Sequence, residues 1–158
     1  MRTPKIDRLT AIDPGAASGF AQFAEHKLFA ASTFSGEEFP EIWHRGYAQT
    51  LVLEVPRIYP GNSKGDPNDI VKLAMRAGEI RGYYARAAAP FVFEVFPRTW
   101  KGNVPKEIHH GRVLAALDEQ ERGVLAPHAR RVTKTNPHGL DHNMLDAVGL
   151  GLWFLKRL

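Results

Sequence analysis

Residues 9–34 read LTAIDPGAASGFAQFAEHKLFAASTF, and the fold turns on how this stretch divides. Leu9 to Asp13 is a compact apolar run stopped by Pro14-Gly15, a pair that favours a turn. Ser18 to Ala24 and Lys27 to Phe34 are two further runs joined only by Glu25-His26. Runs of this length with such short connections predict three strands in an antiparallel meander.

Outward from this meander the pattern changes. Leu51 to Val55 is a short apolar run closed by Pro56, which predicts a buried strand. Residues 56–68, PRIYPGNSKGDPN, contain three prolines and two glycines and read as a loop. A helix is expected from Asp69 to Ala87, with Asn68 or Asp69 as its N-cap, and a strand from Phe91 to Phe96 ended by Pro97. Pro105 suits the first turn of a helix running to Arg122, with Gly123 as its stop. Residues 124–139 read as a loop and residues 141–157 as a last helix. Residues 36–48 stay open, with a short helix broken by Pro40 as one reading. Three hairpin strands followed by alternating helix and strand predict an α/β chain with helices packed on a mixed sheet.

The 158 residues suit one domain spanning 1–158, long enough to bury a real core. With 44% hydrophobic and 24% charged residues the composition is that of a globular protein, and the length excludes a two-lobed enzyme whose lobes are each this size. The chain has no cysteine, which excludes disulfides, thiolate metal sites and a cysteine nucleophile. No apolar run is long enough to span a membrane, and the charged N-terminus lacks the apolar block of a signal peptide, so a cytoplasmic location is expected. The net charge of +4 is uneven: residues 56–134 carry 14 basic and 8 acidic side chains. A basic middle suits a polyanionic partner such as nucleic acid, although a solvated basic face has the same composition.

Three carboxylates interrupt apolar runs: Asp13 in LTAIDPG, Glu54 in LVLEVP and Asp146 in MLDAVGLGLWFL. A carboxylate in such surroundings needs a partner. A salt bridge supplies one for any single residue, whereas three converging carboxylates can be neutralised together by a hard cation such as Mg²⁺.

Asp13-Pro14-Gly15 followed by Ser18-Gly19-Phe20-Ala21 resembles the opening of the RuvC-like Holliday-junction resolvases of the RNase H-like superfamily, including phage-type members. The segment FEVFPRTWKGNVPKEIHHGRVLAAL is similar to that family's fifth strand, basic loop and following helix, and Asp146-Ala147-Val148-Gly149-Leu150-Gly151-Leu152 to its final helix. The resemblance implies an RNase H-like five-stranded mixed sheet, three strands antiparallel and the rest parallel, with helices on both faces. It implies metal-dependent hydrolysis of four-way DNA junctions to 5′-phosphate and 3′-hydroxyl ends, with two Mg²⁺ ions per site and Mn²⁺ able to substitute.

Carried over residue by residue, Asp13, Glu54 and Asp146 are the metal ligands. The family usually places another Asp or His three residues before the last aspartate, where this chain has Asn143. On a helix His142 and Asn143 project about 40° and 60° from Asp146, and Asp141 about 140°, so His142 or Asn143 can share the site while Asp141 suits the N-cap. Glu94, in FVFEVFP, is a rival to Glu54, its other expected role being a pair with Arg98 or Lys101. Lys101 and Lys106 resemble the basic residues near the scissile phosphate. Arg98, Arg130, Arg131 and Lys134 are further candidates for DNA contacts. Trp100 either stacks on a base or plugs the core. His109-His110 is not expected to form a metal pair, because adjacent helix residues point about 100° apart. The resemblance also implies a homodimer through the helix at 69–87, where Ala74, Gly78 and Gly82 form a small-residue row; packing on the chain's own sheet is the other reading of that row. Two other classes share features with this chain: an RNase H-like binding module with a degenerate site, and an actin-like phosphotransferase, whose phosphate turn Asp13-Pro14-Gly15 mimics.

Overall fold

A computed structural model of the chain describes residues 6–41, 49–59, 65–87 and 91–158. The expected strands form β1 (Arg8–Asp13), β2 (Ser18–Ala24), β3 (Lys27–Phe34), β4 (Gln49–Glu54) and β5 (Phe91–Val95). They make one sheet in the order β3-β2-β1-β4-β5. The β1–β2 and β2–β3 pairs are antiparallel, and the β1–β4 and β4–β5 pairs are parallel. The turn between β2 and β3 places Glu25 and His26 at φ +48° and +68°, the left-handed region that a tight hairpin demands of both central residues. One residue is extra in β3: Gln22 pairs with Ala30 but Phe23 pairs with Leu28, leaving Phe29 as a bulge.

Side chains alternate along each strand, so each strand feeds two cores. Leu9, Ala11, Ala21, Phe23, Val52 and Val95 point to one face. That face is covered by α2 (Pro97–Trp100), α3 (Lys106–Ala115), α4 (Glu119–Leu125) and α5 (His142–Phe154). Ile12, Phe20, Phe34, Leu51 and Leu53 point to the other, where Ala77, Ile80 and Tyr84 of α1 (Pro67–Ala87) meet them. Helices therefore lie on both faces, as an RNase H-like sheet requires.

α5 is apolar around most of its girth and buried from Met144 to Leu152, because it is pressed between β1–β2 below and α3 beside it. Its close seating needs glycine. A Cβ on Gly19 of β2 would stand 1.8 Å from the Asn143 carbonyl oxygen, and one on Gly151 would stand 2.2 Å from the Phe23 ring.

Several boundaries differ from the sequence reading. α1 starts at Pro67, and it is Asp66 whose Oδ1 accepts the Asn68 amide, at 2.9 Å. The single helix expected from Pro105 to Arg122 is two, broken at residues 116–118. Asp118 accepts the Glu121 amide while the Glu121 carboxylate accepts the Asp118 amide, a capping box that starts α4, and Gly123 lies inside that helix rather than ending it. Residues 126–128 form a 3-10 turn, and α5 stops at Phe154. Residues 36–41 form no helix, and 42–48 fall outside the described residues. No helix among the described residues is long and apolar enough to cross a membrane.

Candidate active site

The three carboxylates singled out from sequence come together at the C-terminal end of the central strands β1 and β4. Ile12 pairs with Leu53, so Asp13 and Glu54 are the next residues along two adjacent parallel strands. Strand alternation turns both toward the α5 face, the side of Ala11 and Val52. Asp146 reaches the same place from the second turn of α5. Glu94 has the opposite parity: it points to the α1 face, where Arg81 Nε lies 2.9 Å from its Oε1. The expected partners of Glu94, Arg98 and Lys101, are corrected to Arg81, and Glu54 is the glutamate that stands with Asp13.

Basic and aromatic groups from the β5–α3 segment close on these acids. Trp100 is buried and its Nε1 donates to Glu54 Oε2 at 2.6 Å, so the ring plugs the core and its one polar atom orients the carboxylate. Lys101 Nζ lies 3.1 Å from Glu54 Oε2 and 4.0 Å from Asp146 Oδ2. Lys106 Nζ lies 3.5 Å from the same Asp146 oxygen. The other oxygen, Oδ1, is 2.9 Å from His110 Nε2.

The charges are unequally shared. Burial pushes the Asp13 carboxyl well above the usual carboxylate range, and the nearby charges of Glu54 and then Asp146 push the same way, outweighing Lys101. Burial also acts upward on Asp146, but the His110 hydrogen bond and the charges of Lys101 and Lys106 bring it below its ordinary value. Burial alone would lower Lys101; Glu54, Asp146 and Asp13 together hold its ammonium above the usual range. His109, packed edge-on against Trp100 at 4.9 Å, is driven down to about 4 by burial, and its Nε2 has no partner.

The remaining sequence candidates divide. The Asn143 side-chain amide donates to the Ala17 carbonyl at 2.8 Å, which ties α5 to the turn after Asp13. The His142 ring lies 5.4 Å from that of His110, with its pKa lowered first by burial and then by Lys106. Asp141 is the N-cap, accepting the Asn143 and Met144 amides, and is paired to Arg130 at 3.0 Å. Arg98 lies across the Tyr59 ring, 4.0 Å from its centroid. Arg131 and Lys134 are exposed in the loop before α5.

His110 is the site residue that the sequence reading passed over. His110, Val113 and Leu117 recur at steps of three and four, an inward stripe that predicts a buried histidine. Adjacency to His109 drew attention to a metal pair instead. His109 and His110 do diverge as expected, one toward Trp100 and the other toward Asp146.

The acids suit a hard divalent cation in donor type, since all three offer carboxylate oxygens, and in charge, since Asp13 is short of positive neighbours. As the side chains stand, Lys101 occupies the approach between Glu54 and Asp146, and no group of three or more acidic or histidine side chains among the described residues is arranged to hold an ion.

No protein-family model matches the chain, and no curated protein matches it in sequence. Among solved structures, it is similar to Thermus thermophilus RuvC in complex with a Holliday-junction substrate, with 17% identity, a TM-score of 0.58 and 94% of each chain covered. A second Thermus thermophilus RuvC structure matches at 17% identity and a TM-score of 0.53, covering 92% of each chain. Strand order, the mixture of antiparallel and parallel pairs and this overlay agree: the chain has the RuvC-like form of the RNase H fold.

Proposed function

We propose that the chain is a divalent-metal-dependent endonuclease that resolves four-way DNA junctions. One observation carries the reading: Asp13, Glu54 and Asp146, from two strands and a helix far apart in sequence, meet at the C-terminal end of the central strands with two lysines among them. Acids crowded until one is pushed toward its neutral form are gathered preferentially at functional sites.

These carboxylates would hold Mg²⁺, or Mn²⁺ in its place, which would supply Lewis acidity, a water activated near neutral pH and compensation for charge on the leaving 3′ oxygen. The chain's own part is to gather and orient. Asp13, Glu54 and Asp146 would be the ligands, with His142, whose ring lies 5.4 Å from that of His110, as the fourth. Asn143 holds the Asp13 turn against α5. Lys101 and Lys106 exchange their carboxylate partners for non-bridging oxygens of the scissile phosphate. Arg98, Arg130, Arg131 and Lys134 bear on flanking phosphates and position the duplex arms.

The two equivalent strands of a junction call for two equivalent sites, which a twofold homodimer provides. Gly78 and Gly82 of α1 support pairing through that helix. Both face away from the sheet, with nothing within 4 Å of a Cβ built on either, and they border a groove of 790 Å³ with Arg76, Glu79, Tyr83 and Arg86.

A second reading, binding of branched DNA without cleavage, is favoured by Lys101 standing between the acids. Nicking of labelled junction, fork, duplex and RNA–DNA hybrid in Mg²⁺ and in EDTA separates the two. Metal-dependent cutting of the junction, abolished by Asp13→Asn and Glu54→Gln but retained by Glu94→Gln, is the expected outcome. Full activity in Asp13→Asn would remove the site, and binding without cutting in the wild type would favour the second reading.

A further inference from the structure

We propose that His110 is a positioning residue: it fixes Asp146 through Oδ1 so that Oδ2 alone is presented to Lys101, Lys106 and the divalent ion. This rests on the nuclease reading and extends it to a residue outside the carboxylate set.

The two oxygens of Asp146 have different surroundings. Among the described residues, the partner of Oδ1 is His110 Nε2, at 2.9 Å, on the inner side between α3 and α5. Oδ2 meets both lysines, at 4.0 and 3.5 Å, on the outer side. A carboxylate oxygen can only accept, so the proton of this bond belongs to His110 Nε2. The imidazole is itself immobilised. His110 is 1% exposed, and its ring lies among those of His109, His142 and His138, at 6.0, 5.4 and 6.4 Å between centroids.

The consequence concerns rotation. An aspartate carboxylate turns freely about its last bond, and either oxygen can take either side. A bond from a fixed donor to one oxygen selects one orientation and sends the other oxygen toward the ligand. Groups that orient a metal ligand in this way typically change metal affinity or activity by 10- to 100-fold when removed. His110 is therefore expected to set the affinity of the site for its ion, without touching the ion or DNA.

The test compares wild type, Asp146→Ala, His110→Leu and His110→Gln. Leucine fills the buried space without a donor, and glutamine returns an N–H near the Nε2 position. Mg²⁺ binding to the DNA-free protein is read by calorimetry, and the Mg²⁺ dependence of junction nicking is read alongside. His110→Leu is expected to raise both Mg²⁺ midpoints on the order of 10-fold or more. Junction affinity in EDTA should be unchanged, and His110→Gln should recover most of the loss. A leucine variant that melts earlier yet keeps the wild-type midpoints would reduce His110 to a packing residue and overturn the proposal alone. A wild type that neither binds Mg²⁺ nor nicks junctions overturns the nuclease reading, and this proposal with it. Should His110→Leu not fold, ¹⁵N-histidine spectra of the wild type decide. A His110 imidazole resonance that shifts with the calorimetric Mg²⁺ midpoint supports the role, and one that ignores Mg²⁺ overturns it.

Discussion

Asp13 is held toward its neutral form by burial and by the like charges of Glu54 and Asp146. Trp100 and Lys101 serve Glu54, and His110 and Lys106 serve Asp146, but the group chiefly felt by Asp13 is the like-charged Glu54. In the absence of metal, this residue weakens the fold. An acid whose pKa is raised on folding leaves stability intact below its unfolded value, about 4, and removes it as pH climbs to the folded value. Asp13→Asn should therefore melt at a higher temperature than wild type at pH 7 in EDTA. The difference should vanish as the pH approaches 4, because wild-type Asp13 is then neutral as well. Equal melting temperatures at pH 7 would mean that Asp13 is not under this strain. The same residue shows what sequence can reveal. Asp13, Glu54 and Asp146 were each visible as a lone charge in an apolar run. Their partners were not, because the bonds from Trp100 to Glu54 and from His110 to Asp146 join elements that no local pattern connects.

Among the elements, the strands were legible because each carries its own period and stop signal, and parity then decided between Glu54 and Glu94 once the sheet was known. The helix after Pro105 misled for a local reason: its apolar stripe continues past Ala115, but the capping box of Asp118 and Glu121 restarts the chain in a new direction. That restart has a tertiary purpose. Glu121 is buried and held by Arg157 through two bonds, at 2.6 and 2.8 Å, and it also accepts the Leu28 amide at 2.9 Å. Arg157 donates in addition to the His26 carbonyl at 2.6 Å. The pair thereby clasps the left-handed Glu25-His26 turn, where neither residue is the glycine or asparagine that such a turn prefers. Removing one partner strands a buried charge, so Arg157→Ala should cost about 3 kcal/mol in urea unfolding. Burial raises the Glu121 carboxyl, but the Arg157 bond and two backbone amides outweigh it and leave its pKa below the ordinary value. Its stabilisation is then present above the unfolded pKa, about 4.3, and is lost as pH falls through the lower folded value. Glu121→Gln, less stable at neutral pH, should show a shallower fall in stability on acidification, measured from pH 6 to pH 2.

At the scale of the molecule, one sheet separates two tasks. The α5 face carries the acids and their partners, while on the other side Gly78 and Gly82 of α1 turn away from the sheet. Sequence offered two readings of Ala74, Gly78 and Gly82, and the structure removes one of them, since Ala77, Ile80 and Tyr84 are the residues that meet the sheet. With open space before Gly78, a leucine there fits the single chain and suits a helix better than glycine. Gly78→Leu should keep its circular dichroism spectrum and melt no lower than wild type, yet scatter light as a monomer and lose paired incision before single nicks. A wild type that is monomeric at high micromolar concentration, free and on a junction, would end the dimer proposal. The wide spacing of the acids along the chain has a further consequence, for synthesis. Domains made on a ribosome begin to fold from the N-terminal side. A nascent chain that has emerged only as far as Leu140 owns Asp13 and Glu54 but neither Asp146 nor the Arg157 clasp, and its inner sheet face lacks α5, the helix that lies against β1 and β2. Such an intermediate cannot assemble the acid cluster, so any chemistry that needs all three carboxylates waits until the last helix is translated and docked.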